Sequence, residues 1–177
     1  MSTLKTNAIQ TVAGKPILNS TGSILAVYYV RSSSTQTITS NTPTAVTGLT
    51  LTVTPSSSSS QFLVSCCTQF GGNGSYTNNR AHIFRGETSL IEMSCYEVDS
   101  ANNAQVYPTN LTYLDSPSTT SAITYTVRAA AANNSSGIFL NANTSGVANV
   151  IFGNTAHTQI SENGAGYSWL KVMEVSG

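Results

Sequence analysis

Side chains suited to catalysis are few in this chain, and their spacing does not fit a nucleophilic site. The sequence has two histidines, His82 and His157, and no Gly-x-Ser-x-Gly turn that would present a reactive serine. A nucleophile needs a base within hydrogen-bond reach and a third group that orients the base. We therefore expect both histidines to be ordinary core or surface residues.

Paired carboxylates are the second catalytic possibility, because two of them can cleave a glycosidic bond. Five of the seven acidic residues lie in one stretch, namely Glu87, Glu92, Glu97, Asp99 and Asp115. Acidic residues that lie close together in such a stretch need no catalytic explanation. Enzymes that degrade surface polysaccharides are usually much larger, repeat-built β-helices. We predict that the protein is not an enzyme.

Metal and cofactor sites are not indicated either. A zinc site needs spaced pairs of Cys or His, whereas Cys66 and Cys67 are adjacent and would point to opposite faces of a strand. Cys95 stands apart from both. A phosphate-binding loop would need a Lys-Ser or Lys-Thr pair after the glycines of residues 71–75 (GGNGS). We predict reduced cysteines, no metal and no cofactor.

Charge is scarce, which restricts the partners that the chain can have. Charged residues make up 8% of the sequence, and the seven Lys and Arg residues are balanced by seven acids. So few cations cannot follow a phosphate backbone, and we expect no nucleic-acid partner. No apolar run approaches the roughly 20 residues that span a bilayer, and residues 1–10 lack a basic stretch followed by an apolar one. We expect no membrane insertion, and folding in a cytoplasm.

Hydrophobic residues recur at every second position from Ile24 onward, in short runs separated by Ser, Asn, Gly and Pro. This period is typical of β-strands. The predicted strands are residues 24–30, 45–54, 61–70, 80–85, 90–96, 104–113, 123–132, 147–152 and 167–175, with a short one at 137–140. Because no long segment shows the helical period, we predict almost no helix. This pattern predicts an antiparallel β-sandwich of the jelly-roll or immunoglobulin type, and we favour the jelly roll.

The first 23 residues differ from this pattern. Their apolar residues are too sparse for a core strand, and Gly14 and Pro16 interrupt them. We predict an extended N-terminal arm over residues 1–23 and one sandwich domain over residues 24–177, although a disordered tail would have the same composition. The residues through which such an arm would attach are Leu4, Ile9, Val12, Pro16, Ile17 and Leu18.

Seven short stretches, spread over essentially the whole chain, carry a family resemblance. They are residues 1–10 (MSTLKTNAIQ), 14–18 (GKPIL), 22–25 (GSIL), 46–55 (VTGLTLTVTP), 114–117 (LDSP), 124–127 (TYTV) and 170–177 (LKVMEVSG). In this order they resemble stretches of tail-fibre-like structural proteins from marine bacteriophages of the cyanophage and pelagiphage type.

The resemblance implies a trimeric jelly-roll head, similar to those of the C1q and tumour-necrosis-factor type. The head would be attached to a virion through the arm and assembled in the cytoplasm of the bacterial host. It would be either a short tail fibre or receptor-binding knob, or a capsid decoration protein that stabilises the phage head. The implied partners are further copies of the chain, a tail protein or the major capsid protein, and a saccharide or protein of the host surface.

The residues also predict where the copies would meet. In residues 167–175 (YSWLKVMEV), Trp169 and Met173 share one face of a strand with Val175, while Leu170 and Val172 share the other. We expect one face in the core and the other in a threefold contact, beside the apolar stripes of residues 24–30 and 123–132. The candidates for this contact are Tyr28, Tyr125, Trp169 and Met173.

Polar segments rich in Asn, Ser and Tyr are candidates for contact with a host receptor, because they offer hydrogen bonds and an aromatic face. Residues 71–79 are the first such segment, with Asn73, Tyr76, Asn78 and Asn79 as candidate contacts. Residues 131–145 are the second. Solvated turns without a ligand would have the same composition.

Overall fold

The computed structural model describes residues 21–72, 77–97, 106–131, 137–141 and 167–177, and within these ranges the chain forms strands and turns without a helix. The strands in chain order are β1 (Ile24–Ser32), β2 (Gln36–Ile38), β3 (Thr44–Val53), β4 (Gln61–Gly72), β5 (Thr77–Arg85), β6 (Thr88–Glu97), β7 (Val106–Asp115), β8 (Ile123–Ala130), β9 (Ile138–Leu140) and β10 (Ser168–Val175). The predicted all-β class is confirmed. The short strand β2 was not predicted. The strand predicted at residues 147–152 and the arm residues Leu4, Ile9, Val12, Pro16, Ile17 and Leu18 lie outside the described residues.

Two antiparallel sheets form the sandwich. The first sheet has the order β1-β10-β4, with β7 on the other side of β4. Strand β9 pairs with the last residues of β4 and with β2, so these two short strands extend the first sheet. The second sheet has the order β3-β8-β5-β6. The tight turn from β5 to β6 uses Gly86, whose φ of 57° favours glycine.

The pairing of the eight long strands identifies the topology. The first pairs with the last (β1 with β10), then β3 pairs with β8, β4 with β7, and β5 with β6. Such nested pairing is that of one long hairpin rolled into two sheets, which is the jelly roll. An immunoglobulin-type sandwich groups its strands as A-B-E-D and C-F-G and lacks this nesting. The predicted jelly roll is therefore confirmed.

The core lies between the sheets and is filled by alternate residues of each strand. On β8 these are Tyr125, Val127 and Ala129, and on β10 they are Leu170 and Val172, all of which are fully buried. Together with the buried apolar residues of the other strands they form one continuous cluster. The cluster fixes which way each strand faces, because a shift by one residue would turn its apolar side chains outward.

A polar network joins the two sheets inside the sandwich. Asp115, at the end of β7, is 5% exposed. Its carboxylate accepts hydrogen bonds from Arg85 Nη1 on β5, at 2.7 and 3.0 Å, and from Tyr125 Oη on β8, at 2.7 Å. Burial and the neighbouring carboxylate raise the pKa of the Tyr125 hydroxyl well above its ordinary range. The phenol therefore stays protonated, and a hydrogen-bond donor, at neutral pH.

A second polar network joins the ends of four strands. Asn141 follows β9 with a left-handed φ of 53°, and its Nδ2 donates to the carbonyl oxygens of Ser32 and Ser34 at 3.0 Å each. Its Oδ1 accepts a 2.8 Å hydrogen bond from Ser168 Oγ, which itself accepts from the Gln69 amide at 3.0 Å. The buried side chain of Asn141 thus ties β9 to β1, β10 and β4.

The sandwich has two different ends. At what we call the basal end, the described chain begins beside the last strand: the Gly22 amide donates to Ser176 O at 2.7 Å, and the Ser176 amide donates to Ser23 O at 2.9 Å. Buried Glu174 holds the turn between β3 and β4 there, because its Oε1 accepts from Ser56 N at 2.6 Å and from Ser60 Oγ at 2.7 Å. Strand β4 runs away from this end, so β4 ends and β5 begins at the opposite, distal end.

Candidate functional site

The outer face of the first sheet is the surface on which the described residues are most apolar. Since Leu170 and Val172 point into the core, strand alternation turns Trp169, Lys171 and Met173 outward. The register then shows which residues of the neighbouring strands share this face, because directly paired residues of antiparallel strands point the same way. We call this surface the outer apolar face.

One apolar row crosses all four long strands of the first sheet. Met173 on β10 pairs with Val27 on β1 and with Leu63 on β4, and Leu63 pairs with Leu114 on β7. Val27 is 57% exposed and Leu114 is 51% exposed, while Leu63 and Met173 are half-buried. A continuous row of four large apolar side chains at this exposure is typical of a surface that meets another protein.

Aromatic residues continue the outer apolar face toward the distal end. The rings of Tyr29 and Trp169 lie 6.3 Å apart with an interplanar angle of 31°. The guanidinium of Arg31 lies 5.7 Å from the centre of the Tyr167 ring. Aromatic rings and arginine are enriched where protein interfaces bind most strongly, so these residues add to the case for a partner on this face.

Charge on the outer apolar face is low and of one sign. Among the described residues of β1, β4, β7 and β10, those that carry a charge on this face are Arg31 and Lys171. Lys171 lies between Tyr29 and Ser65, and Ser65 Oγ accepts a 3.2 Å hydrogen bond from Thr112 Oγ1. The carboxylates of Glu174 and Asp115 point inward instead. The face is therefore apolar with a weak positive charge.

The outer face of the second sheet is polar by comparison. Threonine hydroxyls pair across β3 and β8: Thr52 and Thr124 lie 2.9 Å apart, and Thr50 donates to Thr126 at 3.5 Å. Further along β8, Arg128 forms hydrogen bonds of 2.7 and 2.8 Å with the carboxylate of Glu87. These groups suit contact with water. The contrast between the two sheets singles out the first one as the candidate contact surface.

The structure brings two of the four predicted contact residues together on this face and places the other two elsewhere. Trp169 and Met173 both lie on the outer apolar face. Tyr125 was wrong as a contact residue, because it is fully buried in the core and bonded to Asp115. Tyr28 also requires correction: it pairs with Val172, shares the inward direction of that residue and packs against the core.

Two apolar stripes were predicted to lie beside residues 167–175, and the structure places one of them there. The stripe of residues 24–30 lies beside β10, as β1. The stripe of residues 123–132 does not, because β8 belongs to the second sheet and turns its apolar side chains into the core.

Sequence reasoning missed Val27, Tyr29, Leu63 and Leu114 as members of the face. Strands β1 and β4 are apolar at consecutive positions, so their sequence alone does not tell which residues point outward. The signal that could have found them is the cross-strand register to Met173, and register is a property of the folded sheet.

The predicted receptor-contact residues fall in different places. Asn73 and Tyr76 lie outside the described residues, and Asn78 lies within β5. Asn79 was wrong as a loop contact, because it is also part of β5 and is 2% exposed. It shares the inward direction of Ala81, two positions along the strand, and so faces the interior.

Groups with catalytic or metal-binding chemistry are dispersed in the structure. Over the described ranges, no cluster of three or more His, Cys, Asp or Glu residues is placed to hold a metal ion. Cys66 and Cys67 are both buried, and burial raises the pKa of the Cys67 thiol. In the same ranges, no helix has the length and apolar character needed to cross a bilayer.

The chain is distantly similar to solved structures. No protein-family model matches the chain, and no curated protein matches it either. Among solved structures it is similar to one described as the structure of infectious bursal disease virus Gx strain, with 8% identity and a TM-score of 0.41 over 86% of this chain and 37% of that one. It is also similar to the VP2 subviral particle of infectious bursal disease virus, with 10% identity and a TM-score of 0.36 over 86% and 38%. The chain thus spans less than two fifths of either structure, and the jelly-roll assignment rests on its own strand pairing.

Proposed function

We propose that this chain is a non-enzymatic structural protein of a bacteriophage particle, which trimerises through the outer apolar face. The observation that carries the proposal is the row of Val27, Met173, Leu63 and Leu114 across the first sheet. Removing such a row from water contributes about 25 cal/mol for each Å² of apolar surface. The resemblance of the seven sequence stretches to phage tail-fibre-like proteins supports the assignment to a virion.

The charges on the face favour a ring over a two-fold dimer. In an isologous dimer the same patch meets itself, so Arg31 and Lys171 of both copies would enter one apolar contact that contains no acidic group. In a ring, each outer apolar face meets a different surface of the next copy. The positive groups can then lie beside polar or acidic groups, and a closed ring of three is the smallest such arrangement.

The basal end suits attachment to a larger particle. Gly22 and Ser23 are held against Ser176, so the proposed arm of residues 1–23 would join the sandwich at this end. The distal end, between β4 and β5, then points away from the attachment site. This polarity fits a short tail fibre or receptor-binding knob, displayed on the virion surface and in contact with a saccharide or protein of the host.

A capsid decoration protein is the second candidate, because a trimer clamped over a threefold position of the head would use the same face and the same arm. Location on the virion distinguishes the two. Immunogold labelling, or a low-resolution map of the particle, would show copies at the tail for the fibre and copies over the head for the decoration protein. Absence of the chain from purified virions would refute both.

The non-enzymatic assignment has a direct test as well. Purified protein is incubated with envelope and capsule material from the host, and the release of reducing sugar or of new peptide termini is measured. We expect none above that of heat-treated protein. Release that depends on the native chain would overturn this part of the proposal.

A further inference from the structure

His82 is a buried histidine on the outward side of the second sheet. It lies in β5, and its side chain is 4% exposed. Neither ring nitrogen has a hydrogen-bond partner in the structure, and the ring packs near Phe84, with centroids 5.8 Å apart. Burial without hydrogen bonds favours the neutral form of an imidazole, because a buried charge needs compensation.

The charged groups around His82 come from all three strands at this point of the sheet. On β6, Glu92 pairs directly with His82, and its Oε2 lies 3.5 Å from Nδ1. On β8, Arg128 is the paired residue, and it is bonded to Glu87 of the turn between β5 and β6. On β5 itself, Arg80 lies two positions away on the same side. A protonated His82 would thus be attracted by the carboxylate of Glu92 and repelled by two arginines. Of these two, only Arg128 is already neutralised by an acid.

We propose that His82 makes the second sheet acid-sensitive: a proton taken up by its imidazole places a charge in the sheet and loosens the packing of β5 against β6 and β8. The proton comes from solvent, and no other group changes its protonation. This response to acid is independent of the outer apolar face, which lies on the other sheet.

The direction of the effect follows from the surroundings. Burial lowers the pKa of His82 below its ordinary value of 6.5, Glu92 opposes this, and Arg80 adds to it. The unfolded chain therefore binds the proton more readily than the folded one. Stability contributed by the neutral ring is present above pH 6.5 and is lost as the pH falls toward the lower pKa of the folded state.

The test is a pH titration by NMR on the full chain, with His82 and His157 distinguished by a His82→Gln variant. We expect His82 to titrate below 6.5, and the amides of β5 and β8 to lose exchange protection, corrected for intrinsic rates, between 6.5 and that midpoint. In His82→Gln this loss should disappear. Titration at or above 6.5, or the same loss of protection in the variant, would overturn the proposal.

A second variant keeps the proposal testable if His82→Gln fails to fold. The side chain of Glu92 is 56% exposed, so Glu92→Gln leaves packing intact while it removes the one carboxylate next to the ring. The His82 midpoint should then move to lower pH, and the loss of protection should continue down to this lower midpoint. An unchanged or higher midpoint in this variant would contradict the assigned geometry.

Discussion

Tyr125 Oη donates a 2.7 Å hydrogen bond to Asp115 Oδ2 and thereby joins the second sheet to the first. The bond is buried, so its loss leaves a carboxylate oxygen without one of its donors. We expect Tyr125→Phe to lower the free energy of unfolding by about 1–3 kcal/mol, measured by urea denaturation.

Ser58→Ala is the control for that variant, because it removes a hydroxyl from an exposed residue of the turn between β3 and β4. We expect it to change the free energy of unfolding by less than about 0.5 kcal/mol. Equal losses for both variants would mean that the bond between the sheets contributes nothing.

The hydrogen bonds of Glu174 lead us to expect that the folded protein loses stability in acid. Burial alone would raise the pKa of its carboxyl, but hydrogen bonds from Ser56 and Ser60 outweigh burial and hold the pKa below the ordinary value of 4.5. Its contribution is therefore present above pH 4.5 and is lost as the pH falls through the lower pKa of the folded state.

The measurement compares the wild type with Glu174→Gln by urea denaturation across this range. We expect the wild type to be more stable near neutral pH, and the difference to shrink below 4.5. A difference that keeps its full size in strong acid would show that the carboxylate charge does not hold the turn of Ser56 and Ser60.

Two substitutions at Asn141 separate the effect of its backbone conformation on stability from the effect of its hydrogen bonds. Asn141→Ala loses the bonds to the carbonyls of Ser32 and Ser34 and places a side chain that disfavours the left-handed region at a φ of 53°. Asn141→Gly loses the same bonds without the conformational cost. We expect both variants to be destabilised, by about 1–3 kcal/mol for the lost bonds, and alanine to be worse by roughly 1 kcal/mol. Equal stability of the two variants would contradict the role of the backbone.

Much of the fold could be predicted from the sequence, because alternation and turn residues are local signals. The residues 49–54 (LTLTVT) show the period of two directly, and residues 49–53 form the end of β3. The three-residue strand β2 is too short to have a detectable period, and it exists because β9 offers it a partner. Its prediction would have required knowledge of the tertiary pairing.

The candidate site was less predictable, because direction and register are set by the whole sheet. Tyr28 and Tyr29 are adjacent aromatic residues, and only the pairing of Tyr28 with buried Val172 shows that Tyr29 is the outward one. Tyr125 looks like a surface aromatic within residues 124–127 (TYTV). Its burial depends on Asp115, ten residues earlier, which supplies the buried acceptor that a phenol needs.

Met173→Glu tests the outer apolar face itself. Met173 is half-buried at the centre of the row, and a glutamate buried in each apolar contact of the ring would be strongly unfavourable. We expect the variant to be monomeric and folded. The only tryptophan, Trp169, lies on the same face, so its fluorescence should shift to longer wavelength as the contact is lost. Thr50→Glu, on the polar outer face of the second sheet, is the control and should keep the wild-type mass and emission.

The most direct test of the central claim is the mass of the wild-type protein in solution. Sedimentation equilibrium or light scattering at micromolar concentration should give a single species of three times the chain mass of 18.5 kDa, because the outer apolar face is covered only when copies associate. A single species of 18.5 kDa would contradict the account, since the row of Val27, Met173, Leu63 and Leu114 would then remain in water.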